Sequence, residues 1–225
     1  MKHGPLQLNG YQHLPAVMDS IELEAIRRHL ELVPVDGAGS RNLLASDWCR
    51  DVAAAIRGEL VERGLLSDRE VAVQCTLFRK MRLRNWKVPW HQDVFVPVIR
   101  RVQHPELSAW SEKEGTHFVK APARLLQNML AVRLHLDPCG EEDGPLSIVP
   151  GSHCHGPMNT EQARNVRESG NREICLAEAG DLLIMRPLLL HSSPVARYPQ
   201  GMRRVLHFLF GPGDPGYGLD WSIAA

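Results

Sequence analysis

From Asp19 to Pro34 the apolar residues Leu23, Ile26, Leu30 and Val33 recur at three- and four-residue intervals. That is the period of one helix face, with Asp19 or Ser20 as the N-cap and Pro34 as the stop. Trp48, Val52, Ile56 and Leu60 repeat every fourth residue and predict a second helix over Asp47 to Arg63, closed by Gly64. Beyond it the period drops to two. Val71, Val73, Cys75 and Leu77 alternate as in a strand. His91 to Ile99 reads as extended, and residues 104 to 123 show no period, which suggests a long loop over a site. Leu125 to Leu136 predicts a strand with Leu126, Leu130, Val132, Leu134 and Leu136 on one face. Gln127, Arg133 and His135 sit on the other. Leu146 to Val149, Leu182 to Leu190 and Arg204 to Phe210 complete the strands, although Pro187 interrupts the second. The Gly- and Pro-rich stretch 211 to 225 reads as irregular.

Helices followed by many strands predict an α+β, mainly β chain built on an antiparallel sandwich or barrel. The expectation is one domain over 1 to 225: a helical part to about residue 65, a β core from about 70 to 210, and the tail.

Composition narrows the function classes. Twenty-six basic residues balance 26 acidic ones, which argues against a general nucleic-acid binder. No run of 18 apolar residues occurs, so no membrane span is expected. Met1 to Pro5 lack the apolar stretch of a signal peptide, and the expected location is the cytoplasm. The five cysteines form no C-x-x-C pair and read as free buried thiols. The partner expected is a small-molecule substrate.

Three segments carry chemistry. In Trp90-His91-Gln92-Asp93 an imidazole and a carboxylate stand two residues apart. On a strand that spacing points both side chains the same way, about 7 Å apart at the backbone. Non-haem iron oxygenases hold their metal with two histidines and one such carboxylate, leaving the opposite face open. On its own, an H-x-D in a chain of this composition is unremarkable. His191 ends an otherwise oily run from Leu182, and metal ligation would give it a partner. Arg203 and Arg204 open the last apolar strand, where a guanidinium could hold a carboxylate as a bidentate pair.

These pieces occur in an order that resembles the Fe(II)- and 2-oxoglutarate-dependent dioxygenases, and within them the phytanoyl-CoA dioxygenase family. The resemblance runs from about Val71 to Phe210. It rests on Asn85 to Asp93, on Arg133-Leu134-His135-Leu136-Asp137, and on the His191 and Arg203 segments. Its most specific part is Asp143-Gly144-Pro145-Leu146 leading to Pro150-Gly151-Ser152-His153. The resemblance implies a double-stranded β-helix, a jelly-roll barrel with the N-terminal helices packed against one sheet. It implies His91, Asp93 and His191 as iron ligands. Arg203, with Arg204 as the alternative, would hold the distal carboxylate of 2-oxoglutarate. Ser193 would assist it, and Gln74, on an inner strand of the pocket, and Arg133, where relatives carry a pocket tryptophan, would join the cosubstrate-binding residues. The implied cofactors are Fe(II), 2-oxoglutarate and O2. The implied reaction is hydroxylation of a C–H bond with release of succinate and CO2. Related halogenases lack the carboxylate ligand, so Asp93 favours hydroxylation over halogenation. A metal-dependent isomerase or hydrolase on a cupin-like barrel, or a non-enzymatic ligand-binding barrel, is the alternative.

Other features carry less. Gly211 to Gly216 matches G-x-G-x-x-G but holds two prolines and precedes no helix, so it reads as a loop. His153-Cys154-His155 reads as a turn. Trp110, Lys113, Glu114 and His117 could belong to a lid, and Arg41 and Asn42 to the mouth of a site. Lys80 and Lys87 flank the strand before the iron motif and could meet an anionic substrate, although surface lysines are commoner.

Overall fold

The structure is a computed structural model that describes residues 4–33, 40–82, 85–198 and 203–225. The chain begins with α1 (Pro5–Leu8), β1 (Tyr11–Leu14), α2 (Ser20–Glu31) and α3 (Asp47–Glu62). β2 (Glu70–Lys80), β3 (Val88–His91), β4 (Phe95–Val98), β5 (Ser108–Lys113) and β6 (Thr116–Lys120) follow. Next come α4 (Ala123–Gln127), β7 (Leu130–His135), β8 (Leu146–Ile148), α5 (Thr160–Ser169) and β9 (Glu173–Cys175). β10 (Leu182–Met185), β11 (His191–Ser193) and β12 (Arg203–Pro212) complete the order.

Two antiparallel sheets form the jelly roll: a five-stranded one in the order β1-β10-β7-β12-β2 and a four-stranded one in the order β3-β11-β8-β9. A third, β4-β6-β5, extends one end. The five-stranded sheet has two unlike faces because side chains alternate along a strand. Leu206, Phe208 and Phe210 of β12, with Val132 and Leu134 of β7, pack in one core with Leu23, Ile26 and Leu30 of α2 and Ile56 and Leu60 of α3. The opposite positions, Arg203, His207 and Arg133, face the second sheet and line a cavity between the two. The helices therefore cover the apolar face and leave the polar one for a site.

Both helices expected in the first 65 residues are present. Asp19 caps α2 by accepting from the backbone N–H of Ile21 and Glu22, while Glu22 reaches back to the N–H of Asp19. The Pro34 stop lies outside the described residues. α3 closes where expected, with Gly64 at φ +68°.

Four expectations need correction. The strand expected from Leu125 opens instead as helix α4, which buries both Leu125 and Leu126, and β7 starts only at Leu130. Gln127 is thus helical and does not share a strand face with Arg133. The expected loop 104–123 contains the hairpin β5–β6, turned by Glu114 and Gly115, both at positive φ. Its strands bury only Phe118 and Val119, which are adjacent, and its pairing shifts between Ser108 and Ser111, so no alternation marked it. The segment 91–99 is two strands, with Asp93 in the link between them. The segment 182–190 is also divided. β10 ends before Pro187 in the large sheet, and β11 begins at His191 in the other. α5 was not foreseen because it buries no residue and so writes no apolar period.

Candidate metal and cosubstrate site

His91 and His191 are direct partners across the β3–β11 pair. Their rings lie 4.2 Å apart, centre to centre. Each donates Nδ1–H to a backbone carbonyl two residues earlier: His91 to Pro89 at 2.8 Å and His191 to Leu189 at 2.8 Å. That leaves both Nε2 lone pairs free, the tautomer a metal requires. Asp93 completes the group although it has left the strand. Its backbone N–H donates to the Pro187 carbonyl at 2.8 Å, which turns the carboxylate inward. Asp93 Oδ1 lies 3.5 Å from His91 Nε2, and Oδ2 lies 3.7 Å from His191 Nε2. Among the described residues, one ligand atom from each of the three falls within 4.8 Å of the others. Asp93 Oδ2 is buried with no hydrogen-bond partner. An orphaned carboxylate oxygen facing two imidazole lone pairs is the donor set of a divalent metal.

Electrostatics prepares the same site. Burial pushes the His191 imidazole down to about 4, so it is neutral at neutral pH. Burial would raise the Asp93 carboxyl, but the facing His191, His91 and His207 hold it well below the usual carboxylate range. Burial would lower the more open His91, yet its contact with Asp93 raises it.

Neighbouring residues pin the ligands. Gln92 points away from the site, donating to the carbonyls of Gly156 at 2.9 Å and Leu188 at 2.7 Å. Ser152, from the Pro-Gly-Ser-His segment, accepts from the Leu190 N–H at 2.8 Å and so fixes the chain just before His191.

Arg203 lines the same cavity and is 5% exposed. Its Nη2 donates to the Gly144 carbonyl at 3.2 Å, and its Nε is buried without a partner. Ser193 lines the cavity beside it and donates to Gly144 O at 2.9 Å. Gly144 must be glycine. It sits at φ +67°, and a Cβ there would lie 2.5 Å from the Pro194 carbonyl and 2.7 Å from Lys80 Nζ. Arg204 points outward, where its guanidinium makes a bidentate pair with Asp137 at 2.7 and 2.8 Å. Of the two arginines, only Arg203 lines the cavity.

Two residues of this cavity were not read from the sequence. Lys80, expected at the surface, is 1% exposed. It pairs in register with Arg203 and donates to Ser193 Oγ at 2.8 Å and to the Pro194 carbonyl. Burial, then the charge of Arg203, lowers its amine to about 8. The signal was its even spacing with Phe78 on β2, which puts both on the inner face. His207 was passed over as part of an apolar strand. Its Nε2 lies 3.6 Å from Asp93 Oδ2.

Gln74 shares the inner face of β2 but donates to Thr76 Oγ1 at 2.9 Å and does not line the cavity. Arg133 does line it. Trp86, Lys87 and Arg41 lie along the same cavity, which measures about 310 Å³. Glu114 grips Arg41 at 2.9 Å and Asn42 through its carbonyl, tying the β5–β6 turn to this segment. Trp110, Lys113 and His117 stand elsewhere on the hairpin, outside the cavity lining. His153 bonds to Gln7 O at 3.2 Å, away from the triad. The five cysteines are free, but Cys154 is exposed rather than buried.

The family model for phytanoyl-CoA dioxygenase (PhyH) matches residues 6–205. The chain belongs to the phytanoyl-CoA dioxygenase family. No curated protein sequence matches this PhyH-family chain. Solved structures do. HygX from Streptomyces hygroscopicus, with nickel and 2-oxoglutarate bound, superposes with TM-score 0.63 at 20% identity, covering 92% of this chain and 84% of its own. The α-ketoglutarate-dependent epimerase SnoN of nogalamycin biosynthesis gives 0.65 at 18% identity, covering 95% and 84%. The carbocyclase SnoK of the same biosynthesis gives 0.67 at 16% identity, covering 95% and 85%. At these identities the likeness shows the jelly-roll fold.

Proposed function

We propose that this PhyH-family chain is an Fe(II)- and 2-oxoglutarate-dependent oxygenase that hydroxylates an unactivated C–H bond of a small molecule. The observation that carries this reading is one cavity lined by both the His91–Asp93–His191 triad and Arg203, whose Nε is buried without a partner. When bound, iron and 2-oxoglutarate would supply the oxidising power, with dioxygen consumed and succinate and CO2 released. The protein does the rest. His191 offers a neutral Nε2 and His91 an Nε2 held beside Asp93, while Asp93 offers one negative charge on the same face. Arg203 and Ser193 take the distal carboxylate. Lys80 orients Ser193 and adds positive charge behind it. Phe78, Leu146 and Val88 supply the apolar part of the cavity lining. Gln74 has no part in this arrangement.

HygX has also been crystallised with nickel, 2-oxoglutarate and hygromycin B, a small-molecule ligand. SnoN and SnoK are an epimerase and a carbocyclase. Asp93 favours hydroxylation over halogenation here, and product analysis separates it from epimerisation or ring closure.

The test is anaerobic titration of Fe(II) and 2-oxoglutarate, monitoring the weak visible charge-transfer band of the chelate. Wild type should show the band and His91→Ala should lose it. A folded, iron-loaded wild type without the band would overturn the reading and point to a cupin-like isomerase or hydrolase.

A further inference from the structure

The cavity holds more positive charge than a metal and 2-oxoglutarate would neutralise. Of its described lining residues, Asp93 is the one carboxylate, while Lys80, Arg133 and Arg203 are all buried cations. A divalent metal would be matched by Asp93 and by the cosubstrate carboxylate beside it. Arg203 would be matched by the distal carboxylate. Lys80 keeps its charge at neutral pH, with its amine lowered to about 8, but it has Ser193 and the Pro194 carbonyl as close acceptors. Arg133 is left over.

Arg133 is 5% exposed. Its polar neighbour is His207, whose Nδ1 accepts from Nη1 at a long 3.4 Å. Its Nε is buried with no partner. The guanidinium lies 5.5 Å from the centre of the Phe78 ring. Burial lowers its pKa only to about 10, so it stays charged at neutral pH. A buried, unpaired guanidinium is costly to a fold. Arg133 pairs in register with His207, four residues along β12 from Arg203, or about 13 Å of strand. His207 approaches Asp93, and the Arg133 charge is felt by both Arg203 and Asp93, so its fork lies between the cosubstrate arginine and the metal ligands.

We propose that Arg133 receives a carboxylate carried by the primary substrate. The substrate class is then a small organic acid whose compact apolar body lies against Phe78, Val88, Leu146 and Trp86. The assignment rests on the metal and cosubstrate reading above. A planar fork with free N–H groups suits a carboxylate better than any neutral group.

The experiment uses the full chain loaded with Ni(II), which prevents turnover, and isothermal titration calorimetry. 2-Oxoglutarate is titrated first into wild type, Arg133→Met and Arg133→Lys. Formate, then formamide, is titrated into each saturated complex. The expected result is 2-oxoglutarate affinity within about threefold across the three proteins. Formate should bind wild type, bind Arg133→Lys more weakly, and lose at least tenfold in Arg133→Met; formamide should bind none. Arg133→Lys keeps the test open if the methionine variant does not fold. A tenfold loss of 2-oxoglutarate affinity in either variant would assign Arg133 to the cosubstrate and overturn the proposal. Formate binding that is absent, or indifferent to the substitutions, would overturn it too. Failure of wild type to take 2-oxoglutarate strikes the preceding reading, and this one with it.

Discussion

At the residue scale, Arg203 and Arg204 are adjacent and chemically identical, yet strand alternation gives them opposite tasks. Arg203 enters the cavity with buried hydrogen-bonding capacity left over, whereas Arg204 is fully engaged by Asp137 across the outer face. Charge-assisted hydrogen bonds are worth about 1.5–3 kcal/mol each. Arg203→Met should therefore weaken 2-oxoglutarate binding by roughly 10- to 150-fold. Arg204→Ala should leave that affinity unchanged and lower unfolding stability by about 1–3 kcal/mol, because Asp137 loses its main partner. Calorimetry and denaturant titration of the two variants separate the roles. Equal losses of affinity would mean that the side chains do not divide between the two faces. Lys80 teaches a related lesson. A lysine at a strand end normally reads as a surface residue, and only its carbonyl and hydroxyl acceptors from distant segments make burial tolerable.

At the scale of elements, short strands of the large sheet are fixed by contacts at their ends. β1 is tied to β10 by Asp181, which accepts from the N–H groups of Ala16 and Glu178 and pairs with His13 Nε2 at 2.8 Å. Burial would raise the Asp181 carboxyl, but those donors hold it below its ordinary value. A lowered carboxyl contributes stability above its unfolded pKa of about 3.9 and loses it as pH falls through the folded value. Wild type should therefore lose stability below about pH 4. Asp181→Asn should be less stable at pH 7 by about 1–3 kcal/mol and show a flatter acid limb. Urea titrations at pH 7 and in the acid range measure both, and parallel acid limbs would remove Asp181 from the account. The elements that sequence pattern missed share one cause. α5 and the β5–β6 hairpin bury too few side chains to write a period, while α4 and β7 run together as one apolar stretch until Asn128 ends the helix.

At the scale of the molecule, the site joins segments far apart in the chain. His91 and His191 come from the four-stranded sheet, Arg203 and Arg133 from the five-stranded one, and Asp93 from the link after β3. Metal and cosubstrate bound between the sheets should stabilise the whole fold by linkage. Ligand at 100 times its dissociation constant adds about 2.7 kcal/mol. In a chain of this length that raises Tm by roughly 5–10 °C. Scanning calorimetry with Ni(II) and 2-oxoglutarate should show the rise, EDTA should abolish it, and His191→Ala should lack it. The sequence by itself determined a good deal. Helical periodicity placed α2 and α3, alternation placed β2, an apolar run placed β12, and residue chemistry with the family resemblance pointed to His91, Asp93 and His191 and to Arg203 or Arg204. Those signals are local, because a period or a short motif needs only neighbours along the chain. Tertiary structure decided the rest. It showed that Asp93 reaches the histidines from outside the strand. It put Arg203 in the cavity lining and Arg204 on the outer face, left Gln74 bonded to Thr76 outside that lining, and buried Lys80 beside Ser193. The placing of Lys80 and Arg203 depends on which face of a sheet meets Ser193 and Gly144, far along the chain, and no local pattern encodes that pairing.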